Sequence, residues 1–201
     1  CKKPVIFTGA QLPIGAEGTD AKDNVLHAFL TATSDVQGVC LAFGKFVING
    51  LCAKKMCSEN FDGFHSINRE PMATIDNHHF NWNSYVGAGT EGETFSVNTK
   101  LEEKVAVVKL TPGLSPDILD FYLERGYKGV ILESFGAGGV PNDENNWLPA
   151  VRVVCATQCT YDGVNLSVYP IGTLAKKLGA ESAETLTIEA SLSKLMIELA
   201  K

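Results

Sequence analysis

The sequence has no basic stripe, no long apolar run and no paired-cysteine signature, and each absence removes a class of function. Lys and Arg total 17 against 23 Asp and Glu, a formal charge of −6, with the two signs interspersed along the chain. Neutralising nucleic-acid phosphates needs clustered cations, so no nucleic-acid partner is expected for this chain. No apolar run approaches the ~20 residues that span a bilayer, and the opening residues do not read as a secretory leader. No membrane partner is expected either. The six cysteines include no CxxC pair, and a chain this rich in apolar residues has no need of disulfide staples. They read as reduced thiols, which suits a cytoplasmic location. Walker A, GxSxG, HExxH and calcium-loop motifs are all missing. Gly136 and Gly138 match the first two glycines of a dinucleotide fingerprint, but Pro141 stands where the third belongs. The histidines (His27, His65, His78 and His79) lack metal-ligand spacing, and His78-His79 lie in a polar NHHFNWN stretch that reads as a solvated loop. No metal or cofactor is expected.

What is present is an α/β rhythm. At 45% hydrophobic and 20% charged, the composition is that of an ordinary globular protein. KKPVIFTG reads as a buried strand. Asp20 then caps a helix on which Val25, Leu26, Phe29 and Leu30 recur at core-facing spacing. GVCLAFG reads as a second strand, and strand, helix, strand in that order predicts a parallel sheet. LCAKKMCSENFDGF suits a surface excursion with a short helical turn. From Ile67 to about Lys104 the text is polar and irregular, as a linker is.

The rhythm then restarts. KVAVVKL is a strand, and Ser115-Pro116 opens a helix bearing Ile118, Leu119, Tyr122 and Leu123. YKGVILESFG and RVVCATQ are further strands, and Thr187 caps a terminal helix with Leu192, Leu195, Met196 and Leu199 on one face. One join is too short. Between the strands ending near Phe135 and starting at Arg152 there is scarcely room for the helix of a parallel crossover. Residues missing between Val151 and Arg152 would explain it.

For chemistry, residue types alone leave only Lys54-Lys55. A lysine pair in a polar segment is usually a solvated face, and a lysine serves as a base only where its surroundings favour the neutral amine.

Read as phrases, the chain resembles the type I, cytoplasmic L-asparaginases. The phrases are KPVIFTGAQLPI, TDAKDNVLHA, GLCAKKMCSENFDGF, VAVVKLTPGLSPDIL, GVILESFGAGGVP, VCATQC and LTIEASLSKLM, in family order. The resemblance implies a two-domain α/β fold with parallel sheets flanked by helices. Residues 1–70 would be part of a larger N-terminal domain, 71–104 a linker and 105–201 a smaller C-terminal domain. It implies hydrolysis of L-asparagine to L-aspartate and ammonia through a threonine acyl-enzyme, with no cofactor, in a homo-oligomer that is a dimer or a dimer of dimers.

The resemblance also places residues. Counting back from FDGF, Lys55 falls on the lysine of the family's Thr-Asp-Lys triad, with Lys54 one place off. Ala10 and Gln11 match a segment lining the substrate pocket. Glu133, Thr157, Gln158 and Cys159 match phrases that bind regulatory asparagine in some members, although Glu133 replaces an arginine found in others. Cys52 replaces a usual arginine, and Val140 interrupts a usual GNxP. The family's TGGT and HGTDT phrases, which hold the nucleophile, do not occur, so the chain is expected to lack that segment. Two alternatives stay open: the asparaginase-like subunit of a tRNA-dependent amidotransferase, and an inactive asparaginase-like dimerisation module.

Overall fold

The computed structural model describes residues 3–83, 97–141 and 151–201. The chain divides into two compact units, Cys1–Ser96 and Val97–Lys201.

In the first unit, β1 (Pro4–Phe7) leads through a loop to α1 (Ala21–Ala32), then to β2 (Gly38–Phe43) and β3 (Phe46–Asn49). β4 (Ala53–Lys55), β5 (Phe64–Ser66), β6 (Ala73–Asp76) and β7 (His79–Trp82) follow. The main sheet has the order β1-β2-β3-β6-β7. β1 and β2 pair in parallel, with Ile6 opposite Cys40, and the other neighbours are antiparallel. The parallel sheet expected here therefore gives way to a mixed one after its first pair. The cause is local: only Gly44-Lys45 separates β2 from β3, and two residues suffice for a hairpin but never for a crossover. Gly44 takes φ +57°, in the left-handed region.

Two stretches expected as irregular are strands. Residues 53–66 form an antiparallel pair, β4 with β5, rather than a surface excursion with a helical turn. Residues 73–82, inside the expected linker of 71–104, supply β6 and β7. In β6, Ala73 and Ile75 are buried while Thr74 and Asp76 are exposed, the period-two pattern of a half-buried strand. Asn77 and His78 both take positive φ, 46° and 65°, as the turns favoured in two-residue hairpins require. The core behind them is built from Val36, Cys40, Val47, Met72, Ala73 and Ile75.

α1 packs by the face opposite to the one its apolar spacing indicates. Ala21, Asn24, His27 and Thr31 are buried, while Val25, Leu26, Phe29 and Leu30 are exposed, Phe29 by 69%. The polar face can go inward because its groups are bonded, by neighbouring segments or by the helix's own backbone. Asn24 bonds the backbone at Gly9 and Gly44, Thr31 Oγ1 donates to the His27 carbonyl, and His27 meets His78. Satisfied polar groups are tolerated in a core.

The second unit runs β8 (Val105–Lys109), α2 (Asp117–Glu124), β9 (Gly129–Ser134), β10 (Arg152–Thr157), α3 (Pro170–Lys177), β11 (Glu181–Ser182) and α4 (Ile188–Leu199). Its sheet, β11-β10-β9-β8, is parallel throughout. Val130, Ile131 and Leu132 of β9 are fully buried, as a central parallel strand covered on both faces demands. Val108, Leu110, Leu119, Val153 and Leu166 belong to one core layer, and Ile131, Val154 and Leu195 to the other. At Gly129 a Cβ would lie 2.8 Å from Leu199 Cδ1 and 2.9 Å from Leu195 Cδ2, so α4 sits directly on that glycine. Thr187 caps α4 as expected, its side chain accepting from Ala190 N at 3.1 Å. The connection from β9 to β10 includes residues 142–150, which lie outside the described residues. The architecture is α/β, and among the described residues no helix is long and apolar enough to cross a membrane.

Candidate functional site

Three pieces of the first unit converge on Gln11: the loop after β1, the start of α1, and the β4–β5 pair. Asp20 stands at the N-terminus of α1, where the sequence predicts that its side chain caps the helix. It makes no cap bond. Its carboxylate instead accepts from Gln11 N, at 3.0 Å to each oxygen, and from Leu12 N at 3.1 Å. Asn24, one turn on, donates to Asp20 Oδ2 at 3.0 Å and to the Gly9 carbonyl at 2.9 Å, and accepts from Gly44 N at 2.9 Å. The loop from Gly9 to Leu12 is thus fastened to α1 by charge-assisted bonds. Burial would raise the Asp20 carboxyl, but the backbone N–H groups of Gln11 and Leu12 and the Asn24 amide outweigh it, holding the acid below its usual 3.8.

The Gln11 side chain faces β4. Lys55 Nζ donates to Gln11 Oε1 at 2.8 Å, and Gln11 Nε2 donates to the Asn60 carbonyl at 2.6 Å. Both ends of the amide are used, and they specify its orientation. The flipped form would set an NH2 against an ammonium and an oxygen against a carbonyl. Lys55 lies at the end of β4, opposite Phe64, with Nζ 5.1 Å from the Phe64 ring centre and 5.9 Å from that of Phe43. These distances fit cation–π contact. Gly63 admits the approach, since a Cβ there would lie 3.0 Å from Gln11 Nε2 and 3.4 Å from Lys55 Nζ.

Ala10 and Gln11 line an open cleft of about 420 Å³ with Leu12, Ile14, Ala21 and Val25. Gln11 is the link, because it both lines the cleft and binds the ammonium. Thr8 does not offer a free hydroxyl: its Oγ1 donates to the Ala42 carbonyl at 2.8 Å. Lys54 pairs across the small sheet with His65, and neither lysine lines the cleft itself; Lys55 reaches it only through Gln11. What the site presents is a cation held on a polar loop over aromatic rings. The family resemblance points to Lys55, Ala10 and Gln11 individually. It missed the anchoring of the loop by Asp20 and Asn24, for which the only signal was an Asp and an Asn four residues apart at a helix start.

In the second unit, Glu133, Thr157, Gln158 and Cys159 gather at the C-terminal ends of β9 and β10, where parallel sheets bind ligands. Their side chains are largely engaged in the fold. Glu133 pairs with Lys109 at 3.5 Å, and Thr157 Oγ1 donates to the Gly136 carbonyl. Gln158 Nε2 donates to the carbonyls of Leu110 and Glu133 at 2.6 and 2.9 Å, and Cys159 is exposed. The nearby glycine loop closes on itself through paired backbone bonds between Phe135 and Gly139. Among the described residues no group of three or more His, Cys, Asp or Glu is placed to hold a metal ion.

Comparison with known proteins identifies the family. The family described as "Asparaginase, N-terminal" matches residues 1–86, and "Glutaminase/Asparaginase C-terminal domain" matches residues 104–201. A Methanobrevibacter smithii protein, named as the D subunit of glutamyl-tRNA(Gln) amidotransferase, is 31% identical over 96% of this chain and 47% of its own length. An L-asparaginase of Thermococcus kodakarensis is 34% identical over 96% of this chain and 60% of its own. A solved structure of the thermostable L-asparaginase from Thermococcus kodakarensis superposes with a TM-score of 0.89 at 33% identity, covering 99% of this chain and 62% of that one. The chain spans about half the length of several curated relatives it matches.

Proposed function

This chain belongs to the asparaginase family, and from that premise we propose that it is the lysine-bearing part of an amidohydrolase converting L-asparagine to L-aspartate and ammonia. A threonine hydroxyl attacks the side-chain amide carbon, the C–N bond breaks and ammonia leaves. Water then cleaves the acyl-enzyme and restores the hydroxyl. To take the proton off the attacking hydroxyl, Lys55 must first lose the proton it donates to Gln11, which burial by the threonine-bearing segment would favour, and the Ala10-Gln11 loop lines the substrate cleft. The threonine comes from residues outside this sequence, which contains neither TGGT nor HGTDT. The protein works in the cytoplasm as a dimer or a dimer of dimers, and the second-unit cluster around Glu133 and Thr157 is only a candidate regulatory asparagine site, since Glu133 stands where other members carry arginine and pairs with Lys109.

The observation that carries this reading is the Lys55–Gln11 bond, which joins the expected triad lysine to the expected substrate loop across 44 residues of chain. In a protein carrying the family's threonine phrases, Lys55→Met should lower kcat for ammonia release by about 10²-fold or more, the usual loss with a general base. Lys54→Met should leave it near wild type. Unchanged turnover in Lys55→Met, or loss in Lys54→Met alone, would refute the assignment. The 201-residue chain by itself should release no ammonia.

A second reading rests on the names of the relatives, several of which are D subunits of glutamyl-tRNA(Gln) amidotransferases. The same lysine would then serve ammonia release for glutamyl-tRNA(Gln). Turnover of free asparagine without tRNA favours hydrolysis, and strict dependence on glutamyl-tRNA(Gln) favours the amidotransferase role.

A further inference from the structure

His27 is 7% exposed, on the inward face of α1, and its Nδ1 is buried without a hydrogen-bond partner. Its Nε2 lies 3.0 Å from Nδ1 of His78, an exposed residue in the left-handed turn between β6 and β7. The ring centres are 5.2 Å apart. That nearly equals the nitrogen separation plus the two ring radii, the greatest value this contact allows, so the nitrogens point at each other. Lone pairs bound to one metal ion would converge on a point to the side; these share a proton along the line between them. The Phe80 ring meets His27 edge-on, at 6.0 Å and 89°.

We propose that His27 and His78 form a proton-operated latch, which fastens the β6–β7 hairpin to α1 and opens when both rings are protonated. A head-on imidazole pair needs one donor and one acceptor. Neutral or singly protonated, it has both. With a proton on every nitrogen, two N–H groups and two positive charges face each other and the bond is lost. The second proton comes from solvent.

The surroundings set the pH at which this happens. Burial, then the charge of His78, hold His27 below the usual 6.5, while the charge of Asp23 of α1 pulls it upward. Asp76 and His79 flank the turn on the hairpin side. A folded value below the unfolded 6.5 means that the unfolded or opened form takes up protons more readily as pH falls through 6.5. The latched form is then favoured above that pH and progressively lost below it. The latch also bears on the loop at Gln11, because α1 carries Asp20 and Asn24 upstream of His27.

Amide hydrogen exchange of the intact chain, corrected for intrinsic rates, tests this at about pH 7.5 and about pH 5. The β7 amides should open more readily at acid pH, by up to roughly tenfold per pH unit within the window below 6.5, with one extra proton taken up on opening. Amides of α4 serve as the reference and should stay unchanged. His78→Asn, which suits the left-handed turn, should open the hairpin at both pH values and abolish the pH dependence. Equal protection of wild-type β7 at the two pH values would overturn the proposal. So would an equal rise in α4, or a His78→Asn hairpin that kept the wild-type pH response.

Discussion

Asp20 grips Gln11 by its backbone, accepting the Gln11 N–H with both carboxylate oxygens at 3.0 Å, while the Gln11 side chain holds Lys55. The acid at a helix start therefore governs a lysine it never touches. Asp20→Ala leaves the N–H groups of Gln11 and Leu12 and one Asn24 bond without their partner. The expected cost is about 1–3 kcal/mol, read from urea unfolding. The carboxyl is held below 3.8 in the folded state, so its stabilisation is present above that pH and lost as pH falls through the folded value. Wild type should therefore show an acid-dependent loss, on lowering pH through this range, that Asp20→Ala lacks.

Gly63→Ala should push on the amide of Gln11. The added Cβ would meet Gln11 Nε2 at 3.0 Å and the Asn60 carbonyl oxygen at 3.2 Å. Neither the backbone nor a doubly bonded amide yields freely, and the expected destabilisation is about 1–3 kcal/mol. Lysine side-chain NMR should also show a displaced Lys55 resonance. A wild-type melting temperature with an unmoved resonance would contradict the packing described.

The cysteines should divide sharply under alkylation. Cys155 is fully buried and burial pushes its thiol up to about 11, and burial raises Cys40 and Cys52 as well. The thiolate is the reactive form. Mass spectrometry after brief iodoacetamide treatment at neutral pH should find Cys159 modified, with Cys155, Cys40 and Cys52 protected until denaturant is added.

Arg152 ties three elements of the second unit, binding Glu181 of β11 through two nitrogens and Glu198 of α4 through one. The Glu181 carboxylate is held below its usual range, chiefly by that hydrogen bond. These groups are partly exposed, so screening limits them to roughly 0.2–1 kcal/mol per pair. Arg152→Met should lower the thermal midpoint at low salt, and the gap from wild type should narrow as salt is raised.

Legibility followed locality. The Thr187 cap, the apolar run of β9 and the helix after Pro116 were readable because each is decided by a few adjacent residues. The family phrases pointed to Lys55 and Gln11, but not to their contact, which depends on how the chain between two residues 44 positions apart folds. α1 was readable as a helix and misread in its orientation. Apolar spacing reports which residues would gain from burial. It does not report that Asn24 and His27 meet partners on other segments, or that Thr31 bonds the carbonyl of its own helix one turn back. The β6–β7 hairpin was hidden for a related reason, since its exposed face and its turn are polar and only Ala73 and Ile75 mark the inward side.

The outward stripe of α1 has a consequence for handling the protein in solution. Val25, Leu26, Phe29 and Leu30 expose 39%, 43%, 69% and 40% of their surface, so colloidal stability rests on mutual repulsion between molecules of charge −6. Salt weakens that repulsion and leaves the apolar attraction in place. Light scattering of the isolated chain should therefore rise with ionic strength near neutral pH and rise further as pH approaches the pI of 5.2. A Phe29→Lys substitution, which interrupts the stripe at its most exposed point, should suppress much of that rise at neutral pH.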